Sequence, residues 1–147
     1  MPNKSELLVL LKPDALKRRL VGAIIQRLEN AGFQIQEIRS GIAKPSLIEK
    51  HYSHLKSRNL NAFHRNVIFL TEGPLIMLIV NGSCLAMRKL IGATEPTLAA
   101  PGTIRGDFSQ DSIASAEQEN RGLHNLIHAS DSLESAQQEV TLWRSEF

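Results

Sequence analysis

The sequence predicts an α+β sandwich, a four-stranded antiparallel sheet with helices packed on it. Three observations predict it. Residues 6–11 form a short continuous apolar run, the pattern of a strand buried on both faces. Further along the chain, helical spacing of apolar residues alternates with short runs of strand character. Pro13, Gly32, the Gly73-Pro74 pair and Gly92 fall between these segments as breakers. With 147 residues and no internal repeat, low-complexity tract or boundary, residues 1–147 read as a single domain.

After the first strand, Leu16, Leu20, Val21, Ile24, Ile25 and Leu28 recur at helical spacing, and Gly32 supplies the stop. Phe33 and Ile35 alternate with glutamines as a second strand. Ser46 with Glu49 three residues on is a capping box and opens a helix to about Leu55. A further helix spans about 60–70, a third strand 75–80, and a helix 83–90 ends at Gly92. Residues 93–108 hold Pro96, Pro101, Gly102 and Gly106 and read as a long ordered loop. Residues 109–120 are polar and predicted to be exposed. Leu126 and Ile127 form a short last strand, and Asp131 with Glu134 caps a final helix to about Trp143. The order strand, helix, strand, helices, strand, helix, strand, helix matches a split βαβ, ferredoxin-like sandwich.

Composition narrows the function classes. Hydrophobic residues make up 42% and charged residues 22%, an ordinary globular balance, and the net charge of +2 does not argue for nucleic acid. Lys12, Lys17, Arg18 and Arg19 cluster early, a patch that suits an anionic small ligand, a phosphate backbone or mere solvation. The single cysteine, Cys84, excludes an internal disulfide and fits a reducing cytoplasm. No signal-peptide pattern opens the chain, and the apolar run 74–80 is too short to span a bilayer, so no membrane association is expected.

Three clusters carry candidate chemistry. Lys12-Pro13-Asp14 places a cation at the exit of a buried strand. Residues 101–108, Pro-Gly-Thr-Ile-Arg-Gly-Asp-Phe, combine glycines that permit close backbone approach with an arginine suited to a pair of phosphate oxygens. Residues 125–132, Asn-Leu-Ile-His-Ala-Ser-Asp-Ser, place His128 between a strand and a helix start. Such a histidine serves as base, metal ligand, nucleophile or plain structural residue. His124 and His128 stand four apart, a zinc spacing on a helix, but the segment reads as strand, so no metal ligands are assigned. The sequence allows Glu139, on the last helix, to fold back and orient an imidazole but does not show that it does. Tyr52, Arg88 and Thr94 read by default as a packing residue, a solvated cation and a loop cap. The chain has no G-x-x-x-x-G-K-[ST] and no G-x-G-x-x-G, so phosphate, if bound, must be held mostly by side chains.

In this order, the clusters resemble the nucleoside diphosphate kinase family over nearly the whole chain. The resemblance also takes in His51-Tyr52, Arg88 with Gly92-Ala93-Thr94, and Glu134-Ser135-Ala136 with Glu139. It implies transfer of the terminal phosphoryl group of a nucleoside triphosphate, typically ATP, to a nucleoside diphosphate through phosphorylated His128. Glu139 would bond the imidazole and Ser130 would support that contact. Lys12, Tyr52, Arg88, Thr94 and Arg105 would surround the phosphates, and Asn125 with Lys12 would reach the ribose. Mg2+ would be held mainly by the phosphates, with Asp131 at most contacting it through water. A closed homo-oligomer is implied, a hexamer in preference to a tetramer.

The chain departs from the family where Leu60 stands for the usual base-stacking phenylalanine and Asn59 for a proline. Two extra residues lie between Leu60 and Gly73, sixteen separate Phe108 from Asn125, and the chain ends soon after Trp143. Two other readings compete. One is a regulatory protein of the same fold that binds nucleic acid through 17–19, which leaves the retained phosphate ligands without a use. The other is a generic interaction domain, which leaves 101–108 and 125–132 unexplained.

Overall fold

In the computed structural model, which describes residues 5–147, strand β1 (Ser5–Leu11) lies inside an antiparallel sheet. Its companions are β2 (Gln34–Gly41), β3 (Leu75–Gly82) and β4 (Ile127–Ala129), in the order β2-β3-β1-β4. That is the split βαβ, ferredoxin-like order the sequence predicts. Leu7 to Leu11 are all fully buried because both faces of β1 are covered. Successive side chains leave a strand on opposite faces. Leu7, Val9 and Leu11 therefore join one core with α2 (Val21–Asn30) and α6 (Cys84–Ile91). Leu8 and Leu10 join a second core with α3 (Pro45–His51), α5 (Leu60–Thr71) and α9 (Leu133–Glu146).

Several local expectations are corrected. The apolar spacing over 16–28 is one helix by periodicity but two in the fold, α1 (Pro13–Lys17) and α2. Arg19, at φ 59°, stands between them. Leu20 N donates to Ala15 O and Arg19 N to Leu16 O, the bond pair of a Schellman stop. Ser46 does not cap α3. The helix begins at Pro45, whose fixed φ suits a first turn, with Lys44 before it and no side-chain cap. It stops at Tyr52, and a separate turn, α4 (Ser53–Lys56), follows. Asn59 caps α5 by accepting from Ala62 N at 3.1 Å.

Residues 93–108 are not all loop. They contain a 3-10 turn, Pro96–Leu98, and a short helix, α7 (Ile104–Phe108), capped by the Thr103 hydroxyl, which accepts from Gly106 N at 3.0 Å. The polar segment after Phe108 folds as well, around α8 (Ile113–Gln118), with Ser112 as cap and Ala116 buried. At the last helix Ser132, not Asp131, is the cap, and Asp131 accepts from Ser135 Oγ at 2.9 Å.

Candidate active site

The pairing of β4 with β1 aims His128. Leu10 is its partner across the ladder, flanked by the pairs Val9–Ala129 and Leu11–Ile127. Ile127 and Ala129 point into the first core, so the alternation turns His128 to the other face, toward α3 and α9. There His128 Nε2 meets Glu139 Oε1 at 2.5 Å. His51, the last residue of α3, packs edge-to-face against His128 with ring centroids 4.5 Å apart. Trp143, one turn after Glu139 on α9, donates from its indole nitrogen to His51 Nδ1 at 3.0 Å. An indole only donates, so the proton of neutral His51 sits on Nε2. One helix thus carries both the carboxylate that grips His128 and the indole that sets the tautomer of its neighbour.

Electrostatics keep these rings neutral. Burial, reinforced by the nearby Lys12 and Arg105 charges, pushes His128 down to about 3. Burial, then His128, holds His51 near 3 as well. Burial raises Glu139 to about 7, against the opposing effect of His51.

A cationic wall faces this group across an open cleft of about 480 Å³. Lys12, directly after β1, is 8% exposed, and its ammonium donates to Asn125 Oδ1 at 2.7 Å. Asn125 in turn donates from its amide to Thr94 O at 2.9 Å. Arg105, on α7, is nearly buried and donates to three backbone carbonyls, those of Asn125, Gly92 and Ile127. A guanidinium has five N–H bonds, so two of them stay available to an anion. Burial lowers Lys12 to about 8 and Arg105 to about 10, and Lys12 is further lowered by Arg105 and Arg105 by Arg88. An anion entering the cleft relieves the mutual repulsion of these cations.

The cleft brings together His128, Glu139, Lys12, Tyr52, Arg88, Thr94, Arg105 and Asn125 from the residues that the sequence singled out. Ser130 lies beneath it, fully buried, where its hydroxyl accepts from Leu8 N at 3.1 Å and donates to Leu8 O at 3.5 Å. Leu60 is not in the lining. It is the first residue of α5 and half exposed, whereas Asn66 of the same helix does line the cleft. His51, His54, Asn66, Leu123 and Gln138 line it without having been assigned a role from sequence. For His51 a signal was present, because Leu47, Ile48 and His51 share one helix face and that face is apolar.

His51, His128 and Glu139 bring possible metal-ligand atoms within 4.8 Å of one another. The Trp143 bond leaves a proton on His51 Nε2, so that ring offers no lone pair without a tautomer change. The cleft's remaining carboxylate, Asp131, is exposed. Such a donor set does not make the oxygen cage of a resident Mg2+, but it fits a Mg2+ carried in by its own anionic ligand.

A neutral imidazole gripped by a carboxylate, facing buried cations across a cleft, defines an enzyme that works on phosphate-bearing substrates. The family model "Nucleoside diphosphate kinase" matches residues 5–147. A nucleoside diphosphate kinase of Methanocaldococcus jannaschii is 40% identical over 145 residues, covering 97% of this chain and 95% of that one. Among solved structures, a transition-state mimic of nucleoside-diphosphate kinase from Borrelia burgdorferi, with bound vanadate and ADP, superposes with TM-score 0.91. It is 33% identical, with 98% of this chain and 90% of that one covered. An NDP kinase from Pyrobaculum aerophilum gives TM-score 0.87 at 32% identity, with 98% of each chain covered. This chain belongs to the nucleoside diphosphate kinase family. No helix among the described residues is long and apolar enough to cross a membrane.

Proposed function

We propose that this chain moves the terminal phosphoryl group from a nucleoside triphosphate, typically ATP, to a nucleoside diphosphate, with His128 Nδ1 as the atom that carries it. The observation behind this reading is the bond between His128 Nε2 and Glu139. It keeps the proton on Nε2 and leaves the lone pair on Nδ1. In the first half-reaction Nδ1 attacks the terminal phosphorus. The bond from phosphorus to the bridging oxygen breaks, and the diphosphate leaves with that electron pair. Glu139 balances the positive charge that grows on the ring as the N–P bond forms. The second half-reaction reverses these steps with another diphosphate, which makes the kinetics ping-pong.

Lys12, Arg88 and Arg105 stabilise charge on the transferring oxygens, and being already in place they need little reorganisation. Tyr52, whose phenol burial keeps protonated, and Thr94 donate hydroxyl groups. Asn125 with Lys12 meets the ribose. Leu60, outside the lining but on the same helix as Asn66, gives an aliphatic contact only to a base that extends past the rim of the cleft. Ser130 steadies Glu139. Mg2+ would be held mainly by the phosphates and would lessen their charge, with Asp131 at most contacting it through water. Residues 1–147 act as one catalytic domain in the cytoplasm, within a closed homo-oligomer, a hexamer in preference to a tetramer.

The test is labelling without an acceptor. Mixed with labelled ATP and Mg2+, the enzyme should take up acid-labile, base-stable label, as a phosphoramidate does. His128→Ala should lose both label and turnover. Turnover near the wild-type rate in that variant would refute the covalent route.

A further inference from the structure

Leu126 stands two residues before His128 with φ at 72°, a conformation that a side chain with a Cβ rarely adopts. Ile127 N donates to Asn125 O at 2.8 Å, which closes a three-residue γ-turn with Leu126 at its apex. Strain of this kind persists only where the surroundings over-determine it. The side chain of Leu126 is fully buried in the first core. Its backbone is held by two bonds from the other end of the chain. Lys12 N donates to Leu126 O at 2.8 Å, and Leu126 N donates to Asp14 Oδ2 at 3.1 Å.

Beyond a charge that opposes those of Lys12 and Arg105, Asp14 has no other evident use. It is 6% exposed, does not line the cleft, and its Oδ1 is buried without a partner. Burial raises its pKa, so the carboxyl group is costly to keep there. Among the described residues, its only side-chain bond to another residue is the one to Leu126 N. Meanwhile the turn itself ties the site together. Asn125 and Ile127 give their carbonyls to Arg105, Asn125 gives its side chain to Lys12, and His128 follows directly.

We propose that Asp14 is a positioning residue: by holding the Leu126 amide it keeps the γ-turn closed and so sets where Asn125 and His128 stand relative to Lys12 and Arg105. The proposal rests on the reading of His128 as phosphoryl acceptor. Were the turn to relax toward negative φ, the Asn125 and Ile127 carbonyls would rotate away from Arg105, and the start of β4 would turn with them.

The experiment is single-turnover phosphorylation of His128 at saturating ATP and Mg2+. Asp14→Asn keeps an oxygen acceptor. Asp14→Leu keeps the branched shape without one. Each is made alone and together with Leu126→Gly. Asp14→Asn should stay within about threefold of wild type, and Asp14→Leu should be slower by about tenfold or more. Nucleotide affinity should change less than the rate. Leu126→Gly also empties part of the first core, so the rate of the double variant is compared with that of folded Leu126→Gly alone; there positive φ carries no strain, and the loss caused by Asp14→Leu should shrink below about threefold. A residue that merely stabilised the fold would give the same loss in both backgrounds, and that result overturns the proposal. If Asp14→Leu does not fold, Asp14→Asn decides, because a loss beyond about tenfold in that folded variant removes the acceptor argument. A wild-type enzyme that takes no label on His128 rejects the site reading instead, so the two failures are distinct.

Discussion

His128 and Glu139 share a hydrogen bond of 2.5 Å, and the chemistry depends on how many protons the pair holds. With one proton, on Nε2, Nδ1 is free to attack. With two, Nδ1 is lost as a nucleophile where the carboxyl donates to Nε2 and sends the ring proton to Nδ1, or where the ring becomes imidazolium. Glu139 is raised to about 7 and His128 is held near 3, so the second proton arrives as the pH falls through about 7. We therefore predict that kcat/KM declines below pH ~7, approaching a factor of ten per unit. Glu139→Gln should be slower but should lack this limb. Titration of the nucleotide is common to both enzymes, so the ratio of wild type to variant isolates the pair. A ratio independent of pH between 5 and 8 would take the limb away from Glu139.

At the scale of elements, the segment between Phe108 and Asn125 is braced by its own ion pair. Asp111 accepts from Arg121 Nη1 and Nη2 at 2.7 and 2.9 Å, and from His124 N at 2.8 Å. These bonds, Arg121 first, hold Asp111 near 2. A depressed carboxylate stabilises the fold fully above its unfolded value of about 4, and this contribution is lost as the pH falls through its folded value. Asp111→Asn should thus cost about 1–2 kcal/mol at neutral pH, discounted for partial exposure of Arg121, with the difference from wild type vanishing toward pH ~2. Denaturant melts across that range measure it. Labelling of His128 should be largely intact, since of residues 109–124 only Leu123 lines the cleft.

Glycines make a second contrast at this scale. A Cβ on Gly106 would stand 2.1 Å from Ala100 O, a backbone atom that cannot yield without moving the loop. Gly106→Ala should cost about 2–3 kcal/mol and slow phosphorylation, because Arg105 is next to it. At Gly22, in α2, a methyl group would have nothing within 4 Å of it. Gly22→Ala should therefore stabilise by about 0.5–1 kcal/mol. Thermal melts of the two variants shifting in the same direction would contradict this argument.

For the molecule as a whole, the sheet has a finished interior and two edges, the short β4 and the longer β2. β1 is covered on both faces, but β2 is an edge strand with no fully buried residue. Ile38 within it and Ile42 just after it are 59% and 65% exposed. An open edge with exposed isoleucines favours pairing with another copy. We expect the solution mass to be that of a closed oligomer, six chains in preference to four, and Ile38→Lys to lower it. A monomer mass for the wild type at micromolar concentration would exclude β2 as a contact between copies.

Much of this protein is legible in its local sequence. The unbroken apolar run of β1, the cluster around His128 and the 101–108 cluster with Arg105 can be read there. These features lie in short windows whose side-chain types and spacing state their own role. Other features depend on residues far apart in the chain. Arg19 interrupts a spacing that reads as one helix, because a Schellman stop turns the chain without changing the period. Helices α7 and α8 hide among glycines, prolines and polar residues, since caps and contacts with distant segments support them. The position of Leu60 outside the cleft lining, the Trp143 bond to His51 and the grip of Asp14 on Leu126 have no local signature. The sequence by itself determined which side chains were available for phosphate chemistry and on which elements they ride. The tertiary structure alone decided which of them meet, because hydrogen bonds and core contacts between residues about a hundred positions apart form only when the sheet and its helices close together.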